Sequence, residues 1–209
     1  RGLGDVYKRQ NHTGRIYTQA YGAENLPKDG GYVMFANHQG KYDALGIMLT
    51  HEEPCSVVMD EARSKMPLVK QFIDMVGSKR LCLHDLRQAA RVIREVSKEV
   101  GYGRKYIIFP AGGYSHRNGN HVDAFKAGSF KSAMRAKAPI VPVALVDSWK
   151  VFDLWSLRKV NTQVYYLKPI PYEEYRDMKS VEVAKLVYDR ITAAIAYAEK
   201  YHPEIAVIQ

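Results

Sequence analysis

Cysteine is scarce: Cys55 and Cys82 are the two in 209 residues. They form no CxxC and have no companion pair, which excludes a zinc ribbon and a disulfide framework and makes a reducing compartment the default. Long apolar runs are missing too. The longest, Ala138 to Val146, covers nine residues and contains two prolines, whereas a bilayer span needs about 20. There is no signal-peptide pattern, Walker or dinucleotide fingerprint, HExxH helix or aromatic–basic signature of an RNA-binding sheet. His84, His116 and His121 have no i, i+4 spacing and no facing carboxylate pair, so no metal site is expected. Acidic residues are the minority, 22 Asp and Glu against 31 Lys and Arg, for a net charge of +9.

The remaining composition is ordinary, at 46% hydrophobic and 25% charged residues. Disordered, collagen-like and coiled-coil chains are thereby excluded. The basic surplus suits an anionic partner: nucleic acid, a phospholipid surface or a phosphorylated small molecule. No Lys/Arg run is long enough for a nucleic-acid tail, so no nucleic-acid partner is expected.

The chain opens on Arg1 rather than methionine and reads as a fragment or processed product. Residues 1–10, RGLGDVYKRQ, look like translated adapter sequence and are expected to be a non-native or disordered leader. From residue 11 to 209 a single domain is expected, because no repeat, low-complexity linker or composition shift interrupts it. Short apolar runs at Tyr32–Ala36, Ser56–Met59, Tyr106–Phe109, Ile140–Val146 and Val164–Leu167 read as buried strands. Between them lie helical periods: Met66, Val69, Ile73 and Val76; Leu86, Ala89, Ile93, Val96 and Val100; and Ala184 to Ala198. Strands alternating with helices predict an α/β fold, a mainly parallel central sheet flanked by helices. Sites in such sheets form in loops at the carboxyl ends of the strands.

Two such loops can carry chemistry. After the strand ending at Ala36 comes Asn37-His38-Gln39-Gly40-Lys41-Tyr42-Asp43, leading into a helical stretch. The Asp43 carboxylate can take the Nδ1 proton of His38, fixing the tautomer and leaving Nε2 as a base. After the strand ending at Phe109 comes Pro110-Ala111-Gly112-Gly113-Tyr114-Ser115-His116-Arg117. Backbone N–H groups at Gly112 and Gly113 can face an anion or oxyanion there, although an ordinary glycine turn has the same composition. Ser115 sits in no GxSxG elbow, which argues against a serine nucleophile.

Taken in order, NHxxxxD, the IFPxG-type loop, Phe125-Lys126-Ala127-Gly128 and Ala138-Pro139-Ile140-Val141-Pro142-Val143 resemble the 1-acylglycerol-3-phosphate acyltransferase family. The resemblance covers about Gly31 to Lys168. It implies a glycerol-3-phosphate acyltransferase-like fold, with His38 as general base on the free hydroxyl of lysophosphatidic acid and Asp43 orienting the ring and stabilising the imidazolium. The co-substrate would be acyl-CoA or acyl-carrier protein, with no cofactor and no acyl-enzyme intermediate. Arg80, Arg117 and Lys126 would bind the acceptor phosphate, with Lys41 and Lys79 behind them and Gly112 and Gly113 contributing to substrate binding. It also implies work at an anionic membrane surface, on the cytoplasmic face of the cell membrane, by a peripheral protein or one anchored through a missing N-terminal segment.

The chain departs from that family in its second loop. Family members usually read FPEGTRS, where Ala111, Gly113 and Tyr114 replace the glutamate, threonine and arginine. The arginine of the family's second motif falls on Leu83 when counted from Gly77, with Lys79 and Arg80 nearby. These departures imply reduced activity. They also keep two alternatives in view: a catalytically impaired lipid-binding homologue, and an acyltransferase acting on another lysolipid.

Overall fold

A computed structural model describes residues 9–13, 15–64, 69–114, 119–153 and 159–201. In chain order these form β1 (Arg9–Thr13), β2 (Ile16–Tyr21), β3 (Val33–Ala36), α1 (Asp43–Thr50), β4 (Ser56–Asp60), α2 (Glu61–Ser64), α3 (Val69–Met75) and β5 (Lys79–Leu81). They continue as α4 (Leu86–Gly101), β6 (Tyr106–Ile108), α5 (Lys131–Ala136), β7 (Ile140–Val146), α6 (Lys150–Asp153), β8 (Val160–Tyr166), α7 (Tyr172–Tyr175) and α8 (Ser180–Tyr201).

The strands make one eight-stranded sheet in the order β1-β2-β8-β7-β3-β6-β4-β5. It is mainly parallel, as expected. Only β1–β2 and β7–β8 pair antiparallel, while β2–β8, β7–β3, β3–β6, β6–β4 and β4–β5 are parallel. β3 and β7 are buried at every residue, because both faces of the central sheet are covered. Alternation divides β3 between two cores. Val33 and Phe35 join the side chains of α4, α5 and α8 on one face. Met34 and Ala36 join Ala44 and Ile47 of α1 on the other. Burying each of Val33, Phe35, Met34 and Ile47 stabilises the fold by about 1.5–3 kcal/mol.

Helix α4 forms because its apolar positions repeat on one side and its start is capped. The Asp85 carboxylate accepts from the backbone N–H of Arg87 at 2.9 Å and of Gln88 at 3.0 Å. Val92, Ile93, Val96 and Val100 enter the core, but Leu86 is 83% exposed. The stripe read from the sequence therefore divides. Its C-terminal part builds the core, and its first turns line a cavity.

The three strands at the β1 end of the sheet were less legible. β1 and β2 carry Gln, Asn, Thr and Tyr rather than apolar runs, and β8 begins four residues before Val164 with Val160-Asn-Thr-Gln. Arg9 and Gln10 of the expected leader are the first two residues of β1, paired with Ala20 and Gln19. Of the helical period Met66, Val69, Ile73 and Val76, α3 covers Val69 and Ile73, Val76 follows its end, and Met66 lies outside the described residues.

Candidate active site

β3 and β6 are adjacent and parallel, so the loops that follow them leave the same edge of the sheet. β7, parallel to β3 on its other side, ends at that edge as well. Asn37 locks the first loop to β7. Its Nδ2 donates to the Leu145 carbonyl at 3.0 Å, and its Oδ1 accepts from the Leu145 N–H at 2.7 Å. These bonds continue the strand pairing by side chain and fix where His38 starts.

His38 and Asp43 come together as the spacing predicted. His38 Nδ1 lies 2.7 Å from Asp43 Oδ2. The same oxygen accepts from the backbone N–H of Gln39 at 2.6 Å and of Gly40 at 2.9 Å, so the loop wraps around the carboxylate. Oδ1 receives the Ser148 hydroxyl at 2.7 Å. Asp43 is fully buried, and a buried carboxylate is tolerable only with such a full set of donors. The imidazole is held from two further sides. The Phe109 ring stacks on it with centroids 4.4 Å apart, and Tyr114 meets it edge-on at 4.8 Å. The phenol of Tyr42, just before Asp43, is hydrogen-bonded to Thr18 at 2.6 Å. Burial raises its pKa, with the Thr18 bond partly opposing, so it remains protonated at neutral pH.

The dyad borders a cavity of about 620 Å³, within the range that takes a small-molecule ligand. One wall is apolar, from Val57, Met59, Leu81, Leu83, Ala89 and Ile93. The Asp, Lys and Arg residues that line the cavity are Lys41, Asp60, Lys126, Lys131 and Arg135. None of these four cations forms an ion pair with a carboxylate among the described residues. A lining that combines many apolar side chains with four cations suits an amphiphile with an anionic head.

The other expected site residues separate. Gly112 lines the cavity, but its N–H is not free for an anion, because it donates to the Phe109 carbonyl at 3.0 Å and closes a turn. What the absence of a side chain supplies at Gly112 is space. Its φ is +76°, and a Cβ there would lie 2.9 Å from Lys126 Nζ and 3.1 Å from Leu83 Cδ2. Gly113 and Ala111 lie in the same loop and are not among the lining residues. Lys126 is, and its backbone N–H donates to the Pro110 carbonyl at 2.9 Å, tying the two loops together.

Arg80 lies off the cavity wall. Its Nε donates to Ser64 Oγ at 3.1 Å and its Nη2 pairs with Asp74. Lys79 is likewise engaged, 2.6 Å from Glu99 Oε1. Alternation on β5 puts Lys79 on the same face as Leu81, but Lys79 is held by Glu99, and Leu81 is the β5 residue that lines the cavity. Arg117 lies outside the described residues.

Sequence reasoning missed Lys131 and Arg135, which stand at i, i+4 on α5, and it missed Ser148. The signal for Ser148 was present: it is two residues past β7, at the edge where sites are expected. Among the described residues no group of three His, Cys, Asp or Glu is placed to hold a metal ion, and no helix is long and apolar enough to cross a membrane.

The model of a family described as Acyltransferase matches residues 18–146, more than half of the chain and all of this site's first strand and loops. The chain belongs to the acyltransferase family. Relatives of this acyltransferase include the 1-acyl-sn-glycerol-3-phosphate acyltransferase of Borreliella burgdorferi, 28% identical over 131 residues, or 63% of this chain and 52% of the relative. The protein of that name from Saccharomyces cerevisiae is 27% identical over 173 residues, 81% of this chain and 57% of the relative. The chain thus spans a little over half the length of these relatives. The crystal structure of the 1-acyl-sn-glycerophosphate (LPA) acyltransferase PlsC from Thermotoga maritima has the same fold. Its TM-score is 0.73 at 22% identity, covering 90% of this chain and 74% of that one.

Proposed function

We propose that this acyltransferase moves a fatty acyl group from acyl-CoA or acyl-carrier protein to the free hydroxyl of 1-acylglycerol-3-phosphate, giving phosphatidic acid. The observation that carries the reading is His38, held through Nδ1 by a buried carboxylate at the border of an apolar, cation-bearing cavity. With Nδ1 occupied, Nε2 is the nitrogen left to take the acceptor's hydroxyl proton. The oxygen attacks the thioester carbonyl carbon, the C–S bond breaks, and the departing thiolate takes the proton back from the imidazolium. Asp43 keeps the ring in the Nδ1–H tautomer and stabilises its transient charge. The apolar wall takes the acyl chain. Lys126, with Lys41, Lys131 and Arg135, supplies positive charge for the phosphate, in place of Arg80.

Purified protein with a labelled acyl donor should acylate lysophosphatidic acid at least tenfold faster than lysophosphatidylcholine or monoacylglycerol. Equal rates on all three would move the acceptor to another lysolipid. Donor binding without transfer to any of them would favour the catalytically impaired homologue.

The replacement of the family's glutamate by Ala111 bears on that second reading. Ala111 is not on the cavity wall, and Tyr114 packs against His38, so the loop is organised without a carboxylate. Ala111→Glu is therefore expected to leave kcat/KM within about threefold or to lower it, because it adds a negative charge beside the phosphate site. A rise of about tenfold or more would show that the missing carboxylate limits the enzyme.

Both lipids belong to a membrane, and the net charge is +9. We infer from these that the protein works at an anionic bilayer surface, on the cytoplasmic face. Cosedimentation with anionic vesicles should weaken as salt rises from about 0.05 to 0.5 M, since the screening length falls below about 5 Å over that range. Binding that stays flat would assign attachment to apolar insertion.

A further inference from the structure

We propose that Ser148 is a positioning residue of the dyad, acting on His38 through Asp43. This inference rests on the acyl-transfer reading above for its kinetic consequences, though not for its geometry. Ser148 lies beyond the carboxyl end of β7 and is 3% exposed. Its hydroxyl oxygen is 2.7 Å from Asp43 Oδ1 and 2.8 Å from Gln39 Oε1. One proton serves both acceptors, and the carboxylate, being charged, draws it more strongly. Three donors already fix Asp43 Oδ2: the His38 ring and the N–H groups of Gln39 and Gly40. Ser148 alone holds Oδ1 among the described residues. Without it the carboxylate has one anchored oxygen and is free to turn about its own axis. The plane in which it accepts from His38 Nδ1 then becomes loose.

Ser148 is itself placed by a second network. Gln39 Oε1 accepts from the Ser148 backbone N–H at 3.2 Å, while Gln39 Nε2 donates to the Leu145 carbonyl at 2.9 Å and to Asn120 Oδ1 at 3.0 Å. Asn120 Oδ1 also accepts from the Asp147 N–H at 2.8 Å, and Asn120 Nδ2 donates to Glu199 Oε1 of α8 at 3.0 Å. Both amide protons of Gln39 have acceptors and its oxygen accepts from the Ser148 N–H, so its orientation is determined and Ser148 is held in place. The residue following the histidine thus holds the serine, and the serine holds the aspartate. None of these groups reaches the cavity wall except through His38.

Ser148→Ala and the near-isosteric Ser148→Cys separate a positioning role from a merely structural one. Ser148→Ala should lower kcat about tenfold while both substrate KM values stay within about twofold, the pattern of an interaction realised in the transition state. Ser148→Cys, which keeps a weak donor, should fall between it and the wild type. In an Asp43→Ala background, Ser148→Ala should cost less than about twofold more, because its route to His38 is gone. A readout independent of acyl transfer is the rate at which diethylpyrocarbonate modifies His38, followed by peptide mass spectrometry. It should slow several-fold in Ser148→Ala, in protein whose thermal melting shows it folded, and should not slow further in the Asp43→Ala background. Unchanged His38 reactivity and kcat in Ser148→Ala would overturn the proposal, as would an equal loss with and without Asp43. If the wild type acylates no lysolipid, the acyl-transfer reading fails, and His38 reactivity still decides the role of Ser148.

Discussion

Replacing His38 with alanine is expected to lower kcat by about 10²- to 10⁴-fold, with the donor KM nearly unchanged. Without the imidazole the acceptor loses its positioned base, and an unactivated hydroxyl must attack the thioester. The fold should survive. His38 is partly exposed, and Asp43 keeps the N–H groups of Gln39 and Gly40 and the Ser148 hydroxyl as donors. Phe109 and Tyr114 lose a ring contact rather than a hydrogen bond. Steady-state kinetics beside a thermal melt distinguish the two effects. Turnover within a few-fold of wild type in folded His38→Ala protein would remove general-base catalysis from this site.

Asp43→Asn should also be severe, a fall of about 10²-fold or more in kcat, for a different reason. An amide can fit this position in one orientation. Its oxygen replaces Oδ2, which faces three donors, and its NH₂ replaces Oδ1, opposite a hydroxyl that can rotate to accept. The loop and the ring tautomer are therefore kept, and the loss is that of the negative charge opposing the imidazolium. Stability should change far less than rate. Asp43→Ala, which removes every acceptor and strands two buried backbone donors, should by contrast destabilise by about 2 kcal/mol or more. Equal melting losses in Asn and Ala would contradict this picture of the carboxylate.

Much of the site was legible because it sits where parallel strands end. The runs through Ala36 and Phe109 were apolar enough to read as buried strands, and a histidine and an aspartate five apart after the first of them had one obvious geometry. The dyad distance of 2.7 Å agrees with it. Cations were less legible. A short polar strand such as β5 gives no clue to which face meets a cavity, and Arg80 turned to Asp74 while Leu81 and Leu83 took the wall. Nothing in the i, i+4 spacing of Lys131 and Arg135 reveals that their face of α5 borders a cavity. Leu86 shows the same limit from the apolar side. Its period matches the core residues of α4, but its side chain borders the cavity and remains exposed. Ser148 follows a strong strand, yet the sequence does not show that β7 lies beside β3. That adjacency is a long-range pairing between residues more than a hundred positions apart.

The central claim is a one-step transfer in which His38 activates the acceptor and the protein never carries the acyl group. Rapid-mixing measurement of thiol release from acyl-CoA tests it most directly. Mixed with donor alone, the protein should release thiol no faster than background hydrolysis. Addition of lysophosphatidic acid should start release, mole for mole with phosphatidic acid, and the His38→Ala protein should lose it. A burst approaching one thiol per protein before any acceptor is added would contradict the account, because it would mean that a side chain had taken the acyl group first.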